Sequence, residues 1–100
     1  VAANRYVSSS WEACWLMITR SNLVLSKIEG SAIGEQRKKE IMGEAKFVRG
    51  FAYFLLARSW GDVPVILTEQ TAASPTDVAK TPVAQVWEQV AKDLTESAAT

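Results

Sequence analysis

The stretch that decides the fold is residues 43–66, "GEAKFVRGFAYFLLARSWGDVPVI", which at first looks like the start of a membrane span. Its uninterrupted apolar run covers only residues 51–57, and Arg49 and Arg58 bracket that run. A transmembrane helix needs about 20 consecutive, predominantly apolar residues. We therefore predict that the stretch belongs to a buried core helix and not to a membrane span.

The helix that contains this stretch is predicted to run from about residue 35 to residue 60. It carries two overlapping apolar stripes, which are Ile41, Ala45, Val48, Ala52 and Leu55 in one and Phe47, Phe51 and Phe54 in the other. A helix that is apolar on two sides lies between other elements. After it, Gly61 frees the backbone to turn, Asp62 can hydrogen-bond within that turn, and Pro64 prevents the helix from resuming.

A first helix is predicted at about residues 10–28, after three serines at positions 8–10 that are candidate N-caps. Its apolar face follows spacings of four and three and consists of Trp11, Trp15, Ile18, Asn22 and Leu25. A buried Asn22 needs partners for its amide, so we interpret it as a hydrogen-bonded structural residue and not as a binding residue. Cys14 is interpreted as a small buried hydrophobe.

A third helix is predicted at about residues 82–98, with Thr81 as its cap and Pro82 in its first turn. Its amphipathic stripe is Val83, Val86, Trp87, Val90 and Leu94. Residues 63–67 are predicted to be extended, and a polar loop follows at 68–80. Because no strand-rich region is visible, the chain is predicted to be all-α, a single helical segment over its whole length.

Charge and composition exclude several function classes. The 100 residues include 11 basic and 11 acidic side chains, so the net charge is zero. That argues against a nucleic-acid partner, which would require a basic face. Without histidine there is no Ser-His-Asp or Cys-His triad, and one cysteine leaves too few ligands for a zinc site. We expect no metal and no cofactor.

Paired carboxylates are the catalytic option that remains without histidine. Glu40 and Glu44 are four residues apart on one helix, and Asp93 and Glu96 are three apart on another. Such pairs on helical turns are far more often solvated surface than glycosidase-like acid–base pairs. We interpret both pairs as surface, and we predict that the chain is not an enzyme.

The chain contains four tryptophans. Trp11, Trp15 and Trp87 lie on apolar helical stripes and are predicted to pack in the core. Trp60 lies at the end of a helix. Its position in the sequence does not decide between core packing and contact with a ligand.

Residues 43–66 resemble the signature of the SusD/RagB family, the outer-membrane nutrient-binding lipoproteins of Bacteroidetes. That signature is Gly-Glu-Ala-basic-Phe-hydrophobic-Arg-Ala, then aromatics, then Gly-Asp-hydrophobic-Pro. The matching residues are Gly43, Glu44, Ala45, Lys46, Phe47, Arg49, Phe51, Tyr53, Phe54, Gly61, Asp62, Val63 and Pro64. Gly50 stands where the family usually has alanine, a change that we expect to lower helix propensity and to do little else.

The flanking helices are similar to the family in order and distance. Residues 11–29, "WEACWLMITRSNLVLSKIE", resemble the preceding family helix, and residues 81–98, "TPVAQVWEQVAKDLTESA", resemble the following one. The resemblance implies antiparallel helical pairs of tetratricopeptide-like type within a larger α-α superhelical protein. Because family members are several times longer, we interpret the chain as an internal, N-terminal portion of what we call the parent protein.

The resemblance also implies a function. Family proteins are lipid-anchored at the cell surface, cap a TonB-dependent transporter of the SusC type, and capture glycans or sometimes peptides for import. Contact with the outer membrane would be made only through a lipid anchor outside this segment. The helical part would be mainly scaffold, with Glu44, Arg49, Gly61, Asp62 and Pro64 as structural motif residues and Arg49 as a buried pairing group.

Ligand contacts are implied mostly for parts of the family chain that lie outside this sequence. Of the residues present, Tyr6 and Trp11 are our candidates for aromatic stacking on a glycan. The alternative is a self-contained helical-repeat adaptor that binds a protein partner through a groove. In its favour, Ala52, Leu56, Ser59 and Pro64 roughly follow the second helix of a tetratricopeptide repeat, although no first-helix pattern precedes them. An upstream secretory signal ending in a lipid-modified cysteine would distinguish the two.

Overall fold

The computed structural model of the chain describes residues 2–68 and 79–99, with side chains from residue 10 onward. Its elements are helix α1 (Ala2–Lys27), a 3₁₀ turn (Ile28–Gly30), helix α2 (Glu35–Trp60) and helix α3 (Val83–Ala98). Within the described ranges the β-structure is one isolated bridge, between Val63 and Thr81. The prediction of an all-α fold is confirmed. None of the described helices is long and apolar enough to cross a membrane.

Helix α1 begins eight residues earlier than predicted, at Ala2 and not near Ser10. The serines at 8–10 therefore lie inside the helix and do not cap it. Serine favours N-caps but does not oblige a helix to start, and residues 2–7, "AANRYV", contain no proline or glycine that would stop it. Helix α2 has the predicted limits. Helix α3 begins one residue late, with Pro82 as its N-cap residue.

Helix α2 lies between the other two helices and contacts both, as its two apolar stripes predicted. The buried core takes side chains from all three helices and from the segment after α2. Its largest members are Trp15 and Ile18 of α1, Tyr53 and Leu56 of α2, Val63, and Val86 of α3. The segment at 63–67 is extended, as predicted. Most of the predicted loop at 68–80 lies outside the described residues.

The outer stripe of α2 departs from the prediction. Phe47 and Phe51 are 53% and 42% exposed, and Trp87 of α3 is 39% exposed. The prediction that Trp87 packs in the core is therefore wrong. The rings of Trp87 and Phe54 meet edge to face, with centroids 5.6 Å apart. A helical stripe shows which residues share a face, but not whether a neighbouring element covers that face.

Gly50 allows α2 and α3 to approach closely. A Cβ at this position would lie 2.9 Å from the Cβ of Asp93 and 3.2 Å from the Cδ2 of Leu94. The Cβ of Asp93 is fixed to its backbone, so only a shift of the helices could relieve the first contact. The expectation that glycine and alanine are nearly interchangeable at this position is wrong for this packing. Because Gly50 has no side chain, α3 can approach α2 closely at the position next to Arg49.

The turn after α2 also differs from the expected pattern. Gly61 has φ +76°, a conformation that glycine adopts without strain. The Oδ1 of Asp62 accepts a hydrogen bond from the Val83 N–H at 2.8 Å, and does not bond within its own turn as we expected. Next to it, the Thr81 N–H donates to the Val63 carbonyl at 2.9 Å. These two contacts fix the start of α3 against the end of α2.

Replacing Gly50 by valine should destabilise the fold by about 1–3 kcal/mol, the usual cost of overpacking a filled contact. The branched side chain would occupy the space of Asp93 and Leu94 and push α3 away. Ser59→Val, on the exposed last turn of α2, is the matched control and should change stability by less than about 0.5 kcal/mol. Urea unfolding of the parent protein, followed by far-ultraviolet circular dichroism, measures both. Equal stability of the two variants would contradict the close contact.

Replacing Asp62 by alanine should lower the free energy of unfolding by about 1 kcal/mol, because the first N–H of α3 loses its acceptor. Asp62→Asn keeps a side-chain oxygen at the same place and should retain most of that stability. The same urea titrations compare the two. If asparagine is as damaging as alanine, the side-chain cap is not what stabilises this junction.

Candidate functional site

A buried arginine joins the three helices. The Nε and Nη2 of Arg49 on α2 donate to the two carboxylate oxygens of Asp93 on α3, at 2.9 and 2.7 Å. The Nη1 of Arg49 donates to the Oδ1 of Asn22 on α1 at 3.0 Å. The paired donation to one carboxylate is the geometry in which arginine binds most strongly and most directionally. Arg49 is thus buried and paired, and Asn22 is buried and hydrogen-bonded, as expected. That both are structural and not ligand-binding residues stays a prediction.

Asp93 is the residue that the sequence interpretation placed wrongly. It is fully buried and carries the negative charge that balances Arg49. Removing an ion from water costs several kcal/mol unless a partner compensates it, so the two charges have to be buried together. A signal was present in the sequence, since Asp93 continues the face of the buried Val86 and Val90 by one helical turn.

The other carboxylates lie at the surface, as predicted. Glu40 accepts a hydrogen bond from Arg37 at 3.0 Å, which lowers the pKa of its carboxyl group. Glu96 lies 2.9 Å from the Nζ of Lys46, and that hydrogen bond lowers the pKa of Glu96. A general acid needs a raised pKa. Neither predicted pair has the acid–base arrangement of a glycosidase.

The polar contacts continue from Asn22 into the extended segment. The Nδ2 of Asn22 donates to the Ile66 carbonyl at 2.9 Å. The Tyr53 hydroxyl donates to the same carbonyl at 2.8 Å and accepts from the Ile66 N–H at 2.7 Å. Both backbone groups of Ile66 are therefore bound by core side chains. We call Asp93, Arg49, Asn22, Tyr53 and the Ile66 backbone the Arg49 network.

An aromatic cluster surrounds the predicted stacking residue Trp11. Trp15 is buried, with ring centroids 5.5 Å from Trp11 and 5.8 Å from Tyr53, both edge to face. Trp11 meets Trp60 at 5.1 Å, and both remain partly exposed while they pack against the core. The prediction of core packing is confirmed for Trp15. Trp11 packs at the outer edge of the core. Tyr6 falls within α1, but its side chain lies outside the described part of the chain.

The structural role of the remaining motif residues stays a prediction, and the structure gives their burial. Pro64 is buried after the Gly61 turn, and Glu44 is exposed on α2. Cys14 is buried, as predicted, and burial raises the pKa of its thiol. Within residues 2–68 and 79–99, no group of Cys, Asp and Glu side chains is arranged to hold a metal ion.

A shallow groove of about 400 Å³ opens between α1 and α2. Its walls are mainly aliphatic, with Leu16, Met17 and Val24 from α1 facing Ile41 and Val48 from α2. Arg20 and Glu44 are the charged side chains among its lining residues.

A double-mutant cycle tests the Arg49 network. Arg49→Met or Asp93→Leu alone should lower the free energy of unfolding by about 3–5 kcal/mol, because each leaves one buried charge without its partner. The double variant removes both charges and should be less destabilised than the sum of the two single variants. Denaturant unfolding of the parent protein measures all four corners of the cycle. Strictly additive losses would contradict a coupled pair.

Alkaline pH tests the contact between Tyr53 and Ile66. Burial raises the pKa of the Tyr53 hydroxyl above its ordinary value of about 10. In the unfolded chain the tyrosine hydroxyl loses its proton at about pH 10. The stability that the neutral Tyr53 hydroxyl contributes to the fold is therefore fully present below that pH and is lost progressively as the pH rises above it. Tyr53→Phe should be less stable at neutral pH by about 1–3 kcal/mol, since the Ile66 N–H loses its acceptor.

The Tyr53→Phe variant should also lose stability less steeply than the unsubstituted protein above about pH 10, because it has no phenol to ionise at that position. Unfolding free energies measured at a series of alkaline pH values check both statements. Parallel curves for the two proteins would show that the Tyr53 hydroxyl is not protected by the fold.

Comparison with known proteins agrees with this geometry. The family model for SusD-like proteins, described as starch-binding and associating with the outer membrane, matches residues 1–100. A SusD-like protein of Formosa agariphila is 32% identical over 92 residues, which cover 91% of this chain and 18% of that protein. A solved SusD superfamily protein of Parabacteroides distasonis superposes with a TM-score of 0.86 at 31% identity, over 95% of this chain and 21% of that one.

A solved laminarin-binding SusD-like protein superposes with a TM-score of 0.81 at 26% identity, over 89% of this chain and 19% of that one. The chain thus spans about a fifth of the length of these relatives. Their helical architecture confirms the prediction of tetratricopeptide-like helical pairs. With its whole length matched by the family model and its fold by solved relatives, this chain belongs to the SusD-like family.

Proposed function

We propose that this chain is the scaffold portion of a non-catalytic surface protein that binds glycans and works with a TonB-dependent transporter of the SusC type in polysaccharide uptake. The parent protein would be lipid-anchored at the outer membrane, through an anchor outside this segment. Family membership and the laminarin-binding relative support the glycan class. A peptide is the other nutrient that this proposal admits.

The Arg49 network is the observation that carries the scaffold role. Its charged members, Arg49 and Asp93, are buried and directed at each other across α2 and α3. Asn22 and Tyr53 use their polar groups to hold the Ile66 backbone. Arg49 and Tyr53 of the family signature are thus engaged in holding helices and an extended segment together. A rigid support of this kind is what positions binding loops in other folds.

Trp11 and Tyr6 remain the proposed stacking residues. Trp11 is partly exposed and is held in place by edge contacts with Trp15 and Trp60. A tryptophan held in this way presents a large apolar surface at low entropic cost. Tyr6 precedes it by five positions on α1.

The proposal is tested by applying the parent protein to a glycan array that includes laminarin, with the isolated 100-residue chain beside it. We expect the parent to bind a polysaccharide and the chain to bind none. Binding by the isolated chain would contradict a mainly scaffold role and would strengthen the assignment of Tyr6 and Trp11 as stacking residues. Absence of binding by both, on the array and to peptides, would contradict nutrient binding and favour the protein-partner adaptor.

A substitution tests the stacking residue. Trp11→Leu in the parent protein should weaken polysaccharide binding by about tenfold or more, because the ring is lost while an apolar side chain stays. Trp87→Leu is the matched control, because Trp87 lies on α3 and contacts Phe54. This substitution should leave the affinity for the polysaccharide unchanged. Titration calorimetry with the polysaccharide identified on the array measures both. Equal affinities for the two variants would remove Trp11 from the binding site.

A further inference from the structure

Two partly exposed tryptophans from different helices meet at the edge of the core, and so far one of them has a proposed role. We call Trp11 of α1 and Trp60 of α2 the tryptophan pair. Their ring centroids are 5.1 Å apart, and their ring planes stand at 73° to each other. Trp15 and Tyr53, which continue the same cluster of rings, are buried. Trp11 and Trp60 are therefore the members of this cluster that a ligand can reach.

The position of Trp60 is fixed by the end of its helix. Trp60 is the last residue of α2, and the Gly61 N–H after it donates to the Ala57 carbonyl at 3.0 Å. The Trp60 side chain packs against the core while part of it stays exposed. A large ring that is already held in place loses little conformational entropy when it binds a ligand. Trp60 has this property in common with Trp11.

The angle between the two rings determines what the tryptophan pair can bind. A sugar that stacks on an aromatic side chain lies with its own ring roughly parallel to the aromatic plane. Because the two tryptophan planes are far from parallel, one sugar ring cannot stack on both. Consecutive sugars of one glycan chain can do so, each on its own tryptophan. The pair therefore fits a chain of sugars better than a single sugar.

Exposed polar side chains adjoin the tryptophan pair in the sequence. Glu12 follows Trp11, Ser59 precedes Trp60, and both polar residues are exposed. A ligand site combines apolar and aromatic surface with a few polar groups that fix the orientation of the ligand. Each of the two rings thus has a hydrogen-bonding side chain next to it in the chain.

We propose that Trp60 is a second glycan-stacking residue, which contacts a different sugar of the same glycan chain than Trp11 does. Trp60 then packs against the core and also contacts the ligand, the two roles between which its sequence position does not decide. This inference rests on the proposed function and adds a residue to the same binding site.

A double-mutant cycle in the parent protein tests the proposal. Trp60→Leu alone should weaken glycan binding by about tenfold, as Trp11→Leu should. In a protein that already carries Trp11→Leu, Trp60→Leu should weaken binding by a further factor of about three or more, because a separate contact with the glycan is lost. Trp87→Leu is the control and should leave the affinity unchanged. Calorimetric titration compares the variants with laminarin as the probe, or with the polysaccharide that the array identifies in its place.

An unchanged affinity in Trp60→Leu would overturn the proposal. A loss that disappears in the Trp11→Leu background would also overturn it, because Trp60 would then act only by holding Trp11 in place. If circular dichroism shows that Trp60→Leu does not fold, Trp60→Phe keeps a smaller ring against the core and should still weaken binding by about threefold. Unchanged affinity in that variant would overturn the proposal in the same way.

The same titrations separate this inference from the proposed function. An unsubstituted parent protein that binds no glycan would contradict the proposed function, and the role of Trp60 would fall with it. A parent protein that binds glycan, and binds it equally well after Trp60→Leu, would contradict the role of Trp60 alone.

Discussion

The paired hydrogen bonds between the Arg49 guanidinium and the Asp93 carboxylate are the contact on which the rest of this structure depends. Two opposite charges are buried together, and neither is tolerable there alone. Because Arg49 also binds Asn22, the contact is complete only when α1, α2 and α3 occupy their native positions. Gly50, the next residue on α2, has no side chain and so leaves room for the side chains of Asp93 and Leu94 at this point.

The same contact extends its effect beyond the helices. Asn22 and Tyr53 hold the backbone of Ile66, so the segment after α2 is fixed to the core by hydrogen bonds and not by apolar packing alone. The Asp62 side chain and the bridge between Val63 and Thr81 then place the start of α3. In this chain, the helical arginine and the Gly-Asp-hydrophobic-Pro turn of the family signature connect the helices to the segment between them.

The sequence predicted the elements whose causes are local. Gly61 and Pro64 end α2 where expected, and the two apolar stripes placed that helix between its neighbours. Arg49 was predicted as buried because the motif that contains it resembles the signature of a known family. The N-terminus of α1 was missed because serine is a permissive signal, which neighbouring helix-forming residues can override.

The errors share a different cause, which is contact at long range. Asp93 was assigned to the surface because its partner lies 44 residues away in the sequence. Asp62 was expected to bond locally, whereas its acceptor oxygen serves an N–H 21 residues further on. The burial of Trp87 could not be decided from its own helix, since exposure depends on which element lies opposite.

Hydrogen exchange at the Ile66 amide, measured in the parent protein, tests most directly whether Arg49 organises this core. The Ile66 N–H should exchange slowly in the unsubstituted protein, because it is bound to the Tyr53 hydroxyl. Arg49→Lys cannot reproduce the paired contact with Asp93, so it should accelerate exchange at Ile66, whereas Arg58→Lys on the exposed side of α2 should not. An Ile66 amide that exchanges equally slowly in both variants would contradict the central place of Arg49.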